Sequence, residues 1–181
     1  MRETLKRFTY FLIIGNDNSP DNSHEIIMDI ISSHPNGNWI RYTRHVKNLG
    51  PVRNSIWAFE QAKGNYVAIC EGDDYWTDPF KLQRQVEFLE KNKLFSMCFH
   101  DVSGLNETHN EDYKYPIPSK EKLSFQDILL KHYIPTCSVL YRNSHFPNPI
   151  PEWWFKCRML DLPLELTLAA HGPIHYFSEN M

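Results

Sequence analysis

Six short apolar runs with strand character recur along the chain, at residues 10–15, 38–43, 66–70, 95–100, 137–141 and 174–177, and amphipathic helical patterns separate most of them. This alternation most restricts the possible folds. Strands joined through helices of this length imply right-handed crossovers and a mainly parallel sheet covered on both faces, an α/β layer protein. The helices are well signalled. Residues 23–32 place Ile26, Ile27, Ile30 and Ile31 on one stripe, and Pro51 opens a helix ending near Gly64 with Ile56 and Phe59 inward. In TDPFKLQRQVEFLEKN, Thr77 or Asp78 caps, Pro79 takes the first turn, and Leu82, Val86 and Leu89 form the buried face. Ser124 begins a capping-box-like SFQD before a short helix to His132, and a last helix runs from Asp161 to His171, where Gly172 ends it.

A length of 181 residues implies one domain, residues 1–181, large enough to need no disulfide framework. The formal net charge of −3 removes the electrostatic reason to expect nucleic acid as a partner. The apolar run at 10–15 is far shorter than a membrane span, and MRETLKRF lacks the apolar core of a leader, so the expectation is a cytoplasmic protein. Cys70, Cys98, Cys137 and Cys157 are too scattered for a zinc knuckle or redox dithiol and read as reduced, small hydrophobic residues. Residues 103–122 are polar and aperiodic, the composition of a functional or mobile surface loop.

In an open α/β sheet, ligands bind beyond the carboxyl ends of the strands. Here those ends are acidic. LIIGNDNSPDNS leaves its strand through Asn16, Asp17, Asn18 and Ser19, and YVAICEGDDYW leaves through Glu71, Asp73 and Asp74. Three carboxylates within four residues repel one another unless donor groups or a hard cation neutralise them, and a divalent metal is the economical answer. Two other readings are a solvated turn whose Asp residues cap the next helix, and a phosphoryl-transfer site with an Asp nucleophile. The flanking Tyr75-Trp76 argues against the first. The missing Asp-x-Asp-x-Thr arrangement argues against the second.

ICEGDDYWTDPFKLQRQVEFLEKN resembles the metal-binding segment of family 2 glycosyltransferases of the GT-A fold, especially bacterial enzymes that build surface polysaccharides. IIGNDNSPDNS resembles that family's acidic-Ser-x-Asp-x-Thr segment, KGNYVAICEGDD its Gly-x-Tyr strand leading into the DXD-type motif, and IPTCSVLYRNS and LDLPLELTLAAHGPIHYFSENM its later strand and acceptor-side helix. The resemblance is nearly end to end. It implies a nucleotide-sugar half over about residues 1–100 and an acceptor half over about 101–181. It also implies a UDP-sugar donor and an inverting transfer to a saccharide or lipid-linked acceptor. By the same resemblance Asp17 accepts the uracil imide hydrogen bond, Asp73 holds the ribose, Asp74 ligates Mn²⁺ or Mg²⁺ on the diphosphate, and Asp161 is the catalytic base. Asp161 also reads as the N-cap of its helix, and both roles can hold together.

The sequence departs from the family pattern in several places. No apolar strand ending in Thr-Tyr-Asn precedes LIIGNDNS, so the family's first strand is expected to be absent, with residues 1–8 the tail of the helix that follows it. The sheet would then carry unpaired inner edges that an internal rearrangement, an oligomer or a partner chain must cover. A catalytically silent binding or partner domain is the rival reading, with a phosphohydrolase second. Asn48-Leu49-Gly50 resembles the family's Asn-x-Gly, but the following Arg is displaced, which leaves Arg53 as either a diphosphate or base contact or a solvated helix residue. The family's Asp-Trp-Pro-Leu appears as Asp161-Leu162-Pro163-Leu164. His100 with Asp101 reads as a structural histidine or an acceptor-side pair, His171 or His175 as a distant metal candidate, and Trp153-Trp154 as a sugar-stacking platform, core packing or a lid.

Overall fold

The computed structural model describes residues 8–106, 111–131 and 134–181. Contacts gather the chain into two units, one formed by residues up to Gly64 with Ile150–Leu160, the other by Asn65–Pro149 with Asp161–Met181. The first seven residues and His132, at the expected end of the short helix, lie outside the described residues.

The first unit is built on a strand–helix–strand crossover. Strand β1 (Leu12–Asn16), helix α1 (Ser23–Ser33) and strand β2 (Ile40–Arg44) follow one another, and β1 pairs in parallel with β2 from Leu12↔Ile40 to Asn16↔Arg44. Helix α2 (Pro51–Gln61) packs on β1. Its approach depends on Gly15. A Cβ there would sit 2.5 Å from Asn54 Oδ1 and 2.9 Å from the Trp57 ring, and Asn54 Nδ2 instead donates to the Gly15 carbonyl at 2.9 Å. The expected apolar stripe of α1 is only partly covered, because a two-stranded sheet is too narrow to hide it: Ile27 and Ile31 are half-buried, while Ile26 and Ile30 are exposed.

The second unit holds a five-stranded sheet in the order β3-β8-β4-β9-β7, comprising β3 (Tyr66–Ala68), β4 (Met97–Asp101), β7 (Lys122–Leu123), β8 (Leu140–Arg142) and β9 (Ile174–Asn180). Its core is apolar: Met97, Cys98, Phe99, Leu140, Tyr141 and Ile174 are buried in the strands. Leu89 of α3 (Lys81–Lys91) and Leu168 of α5 (Asp161–His171) are buried with them, each completely shielded apolar side chain contributing about 1.5–3 kcal/mol. The α/β class stands as expected, but this sheet is mixed rather than mainly parallel. Only β4 and β9 run parallel; β8 is antiparallel to β3 and β4, and β7 to β9. The helix-crossover rule fixes a strand's direction only where a covering helix connects neighbours, and β8 is reached through an irregular segment instead.

The segment expected as an aperiodic loop contains a hairpin, with β5 (Ser103–Asn106) antiparallel to β6 (Glu111–Lys114). Helix α3 begins at Lys81, later than its Pro79 signal, because Asp78 organises the turn ahead of it: Asp78 Oδ1 accepts from the Phe80 amide at 2.8 Å. Helix α4 (Phe125–Leu130) has the expected capping box, with Ser124 and Asp127 each bonding the other's backbone amide. Among the described residues β1 pairs with β2 alone and β3 with β8 alone. No helix among them is long and apolar enough to cross a membrane.

Candidate active site

In the first unit, β1 delivers Asn16 and Asp17 to its carboxyl end. Asn16 is buried and its Oδ1 accepts the Ser19 amide at 2.8 Å, shaping the exit turn in which Asn18 takes a left-handed φ of 59°. Asp17 then grips a second loop. Its Oδ1 accepts the Leu49 amide at 2.6 Å and its Oδ2 the Gly50 amide at 2.9 Å, while its carbonyl accepts from Asn48 Nδ2 at 2.9 Å. Each carboxylate oxygen keeps a second lone pair, so this clamp leaves acceptor capacity for a ligand. Gly50 sits at φ 83° and ψ 159°, a backbone region open essentially to glycine, and Pro51 starts α2 immediately after it. Arg53 is exposed, with its guanidinium 5.6 Å from the centre of the Phe155 ring. Trp154 is fully buried, which makes it a packing residue, whereas Trp153 is half exposed.

In the second unit, the chain leaving β3 forms a tight turn closed by the Asp74 amide on the Glu71 carbonyl at 3.2 Å. Asp73 and Asp74 are exposed in it. Glu71 is exposed as a residue too, yet its carboxyl is pushed up to about 7, first by the loss of water around the group and then by the negative charges of Asp74 and Asp161. Glu71 and Asp74 also share a hydrogen bond. Thus Asp161, the first residue of α5, lies within electrostatic reach of the acidic turn although it stands 87 positions after Asp74 in the chain.

Four further groups complete this neighbourhood. The Cys137 thiol bonds the Asp74 carboxylate and is pushed up to about 12, burial contributing most and Asp74 next. Cys70 Sγ lies 3.5 Å from the Asp74 carbonyl. Trp76, one residue beyond Tyr75, donates its indole N–H to the Cys137 carbonyl at 2.8 Å and lies 4.1 Å beneath the Lys81 ammonium. Lys81 is buried, donates to Gln85 Oε1 at 2.9 Å, and is brought down to about 8 by burial. Its partners are a π face and an amide, which suits a cation drawn out of water.

Among the described residues no three His, Cys, Asp or Glu side chains form a ready metal cage. The donor set present, Asp74 beside Glu71, fits a hard cation of the Mg²⁺ or Mn²⁺ kind, which takes one or two protein carboxylates and completes its shell with substrate phosphate. His100, His171 and His175 all contact other protein groups. His100 is buried, is pushed down to about 4 by that burial, and bonds through Nδ1 to the backbone carbonyl of Asp101 at 2.7 Å, not to its carboxylate. His171 stacks on His145, and His175 stacks on Phe88 at 3.9 Å.

Sequence reasoning missed Cys137, Lys81 and Tyr115 as neighbours of the acidic turn. Cys137 is brought there by the antiparallel register Ala68↔Leu140, which sets the chain entering β8 beside the chain leaving β3. Lys81 could have been suspected from its i, i+4 and i+8 spacing with Gln85 and Leu89, which share the buried face of α3. Tyr115 carried no signal, because it follows the unforeseen hairpin.

Comparison with known proteins places this architecture. Residues 3–146 match the family described as Glycosyl transferase family 2. An uncharacterized protein of Mycobacterium tuberculosis, Rv1520, is 33% identical over 175 residues, covering 96% of this chain and 49% of its own length. An Escherichia coli protein named UDP-Glc:alpha-D-GlcNAc-diphosphoundecaprenol beta-1,3-glucosyltransferase WfaP is 33% identical over 84 residues, covering 46% of this chain and 31% of its own. The crystal structure of S. aureus TarS 1-349 superposes with a TM-score of 0.71 at 15% identity, covering 95% of this chain and 50% of that one, a likeness of fold. The chain therefore spans about half the length of Rv1520. With the family match covering most of its length, the chain belongs to glycosyl transferase family 2.

Proposed function

We propose that this chain carries the donor site and catalytic carboxylates of an inverting, metal-dependent glycosyltransferase. It would move a sugar from a UDP-sugar to a saccharide or lipid-linked acceptor in polysaccharide assembly. The observation that carries the reading is the electrostatic grouping of Glu71, Asp74 and Asp161. Asp161 accepts the proton of the incoming hydroxyl as the new glycosidic C–O bond forms and the bond from the anomeric carbon to the diphosphate oxygen breaks. Asp74, with Glu71 beside it, holds a divalent cation, and Asp73 holds the ribose. When bound, that cation supplies Lewis-acid stabilisation of the departing diphosphate. Asp17 accepts the uracil imide on its free lone pairs, and Arg53 supplies a diphosphate or base contact. The WfaP name, with its UDP-glucose donor and lipid-diphosphate acceptor, supports this substrate class, and a lipid-linked acceptor would put the reaction at the inner face of a membrane.

Calorimetry with UDP and Mn²⁺ tests the donor site: the expected result is binding that Asp74→Ala abolishes. Asp161→Asn should leave that binding intact and slow transfer by about 10²–10⁴-fold. Silence at millimolar UDP would overturn the reading, and UDP binding indifferent to Asp74 would leave only a nucleotide-binding domain.

A further inference from the structure

The hairpin that interrupts the polar segment carries two aromatic residues, and its construction holds them in a fixed pose. In the β5–β6 register Gly104 faces Tyr113, and a Cβ on Gly104 would lie 2.0 Å from Tyr113 Cζ, so the phenol ring lies directly across the bare glycine. Tyr113 in turn holds Tyr115: their hydroxyls are hydrogen-bonded, and their ring centres are 5.7 Å apart at an interplanar angle of 42°. Both residues remain partly in water, 49% of Tyr113 and 38% of Tyr115 being exposed. Rings ordered in this way contribute little to a core, and their apolar faces stay available.

Their position gives that exposure a use. Tyr115 lies within electrostatic reach of Asp74 and of Cys137, the residue whose thiol bonds Asp74. We propose that Tyr115, positioned by Tyr113 across Gly104, is an aromatic platform on which a pyranose ring of the substrate stacks beside Asp74. The apolar C–H face of a pyranose matches an aromatic face, and hydroxyls at the ring edge can meet the phenol. Tyr113's hydrogen bond, followed by burial and nearby negative charge, raises the Tyr115 phenol to about 12, so it remains a hydrogen-bond donor at neutral pH. This inference rests on the transferase reading and names Tyr115, not the tryptophan pair, as the sugar contact.

The test uses the whole chain and its Tyr115→Ala, Tyr115→Phe and Tyr113→Phe variants, with folding checked by circular dichroism. Three titrations with Mn²⁺ present are compared: UDP, UDP-glucose, and methyl β-D-glucopyranoside added to the UDP complex. Tyr115→Ala should leave UDP affinity within about twofold and weaken one pyranose-dependent affinity by about tenfold, while Tyr115→Phe, which keeps the ring, should lose no more than about threefold. Tyr113→Phe, which frees Tyr115 from its phenol partner, should fall between them. Loss on UDP-glucose assigns the platform to the donor sugar, and loss on the glucoside assigns it to the acceptor. Pyranose affinities unchanged by Tyr115→Ala, or no pyranose contribution in the unaltered chain, overturn the platform. Failure of UDP itself to bind is read in the first titration and overturns the transferase reading, taking the platform with it.

Discussion

Asp17 and Asp74 each stand in the chain leaving a strand, and their surroundings are opposite. Asp17 faces two backbone amides, at 2.6 and 2.9 Å, that neutralise it from within the protein. Asp74 faces the Glu71 carboxyl and the Cys137 thiol, with Asp161 also pressing on Glu71. An acidic strand end is therefore two different devices. Backbone donors make it a clamp that is complete without a ligand; other carboxyls make it a site whose charge calls for a cation or shared protons.

Three experiments would break or sharpen that contrast. The largest expected effect is on the clamp: Asp17→Ala leaves the Leu49 and Gly50 amides without their acceptor and should cost about 2 kcal/mol in urea denaturation. Asp74→Ala in the same assay should change stability by no more than about 0.5 kcal/mol. Equal losses for the two aspartates would erase the distinction. Next comes the turn that Asp17 grips. Gly50→Ala places a side chain at φ 83° and should cost about 1.5 kcal/mol, a loss not added in full to that of Asp17→Ala because the two residues act on one turn.

The smallest effect extends the contrast to a third carboxylate. Lys120 first, then the Ser124 hydroxyl and amide, hold Asp127 down at about 2. A carboxyl lowered in the folded state adds stability that is complete above its unfolded value near 3.8 and is lost as pH falls through about 2. Ser124→Ala should therefore cost about 1 kcal/mol at neutral pH, with the difference from the unaltered chain shrinking below pH 4. Glu71, which loses water first and faces the charges of Asp74 and Asp161 second, is shifted in the other direction.

Local signals were legible where a few adjacent residues determine the geometry. Pro51, the Ser124–Asp127 box and the span Asp161–His171 appear as the sequence indicates, because caps and helical spacing act within one or two turns. The acidic turn was legible for the same reason, as carboxylates crowded into four residues need no distant partner to be conspicuous. Strand direction was not: β8 runs opposite to its neighbours, and nothing in CSVLYR encodes which way it enters the sheet. Trp153 and Trp154 look alike in sequence, and only packing separates a buried ring from a half-exposed one.

The sequence by itself determined the alternation of strands and helices, the starts of α1, α2, α4 and α5, and the acidic exits of β1 and β3, since these follow from periodicity, capping and charge over short distances. Only the tertiary structure decided what each exit faces. It closed Asp17 on the Leu49 and Gly50 amides, and it brought Cys137, Tyr115 and Asp161 into the neighbourhood of Asp74 and Glu71. The physical reason is that a carboxylate's character depends on the donors and charges within a few ångströms, and long-range strand register selects those neighbours.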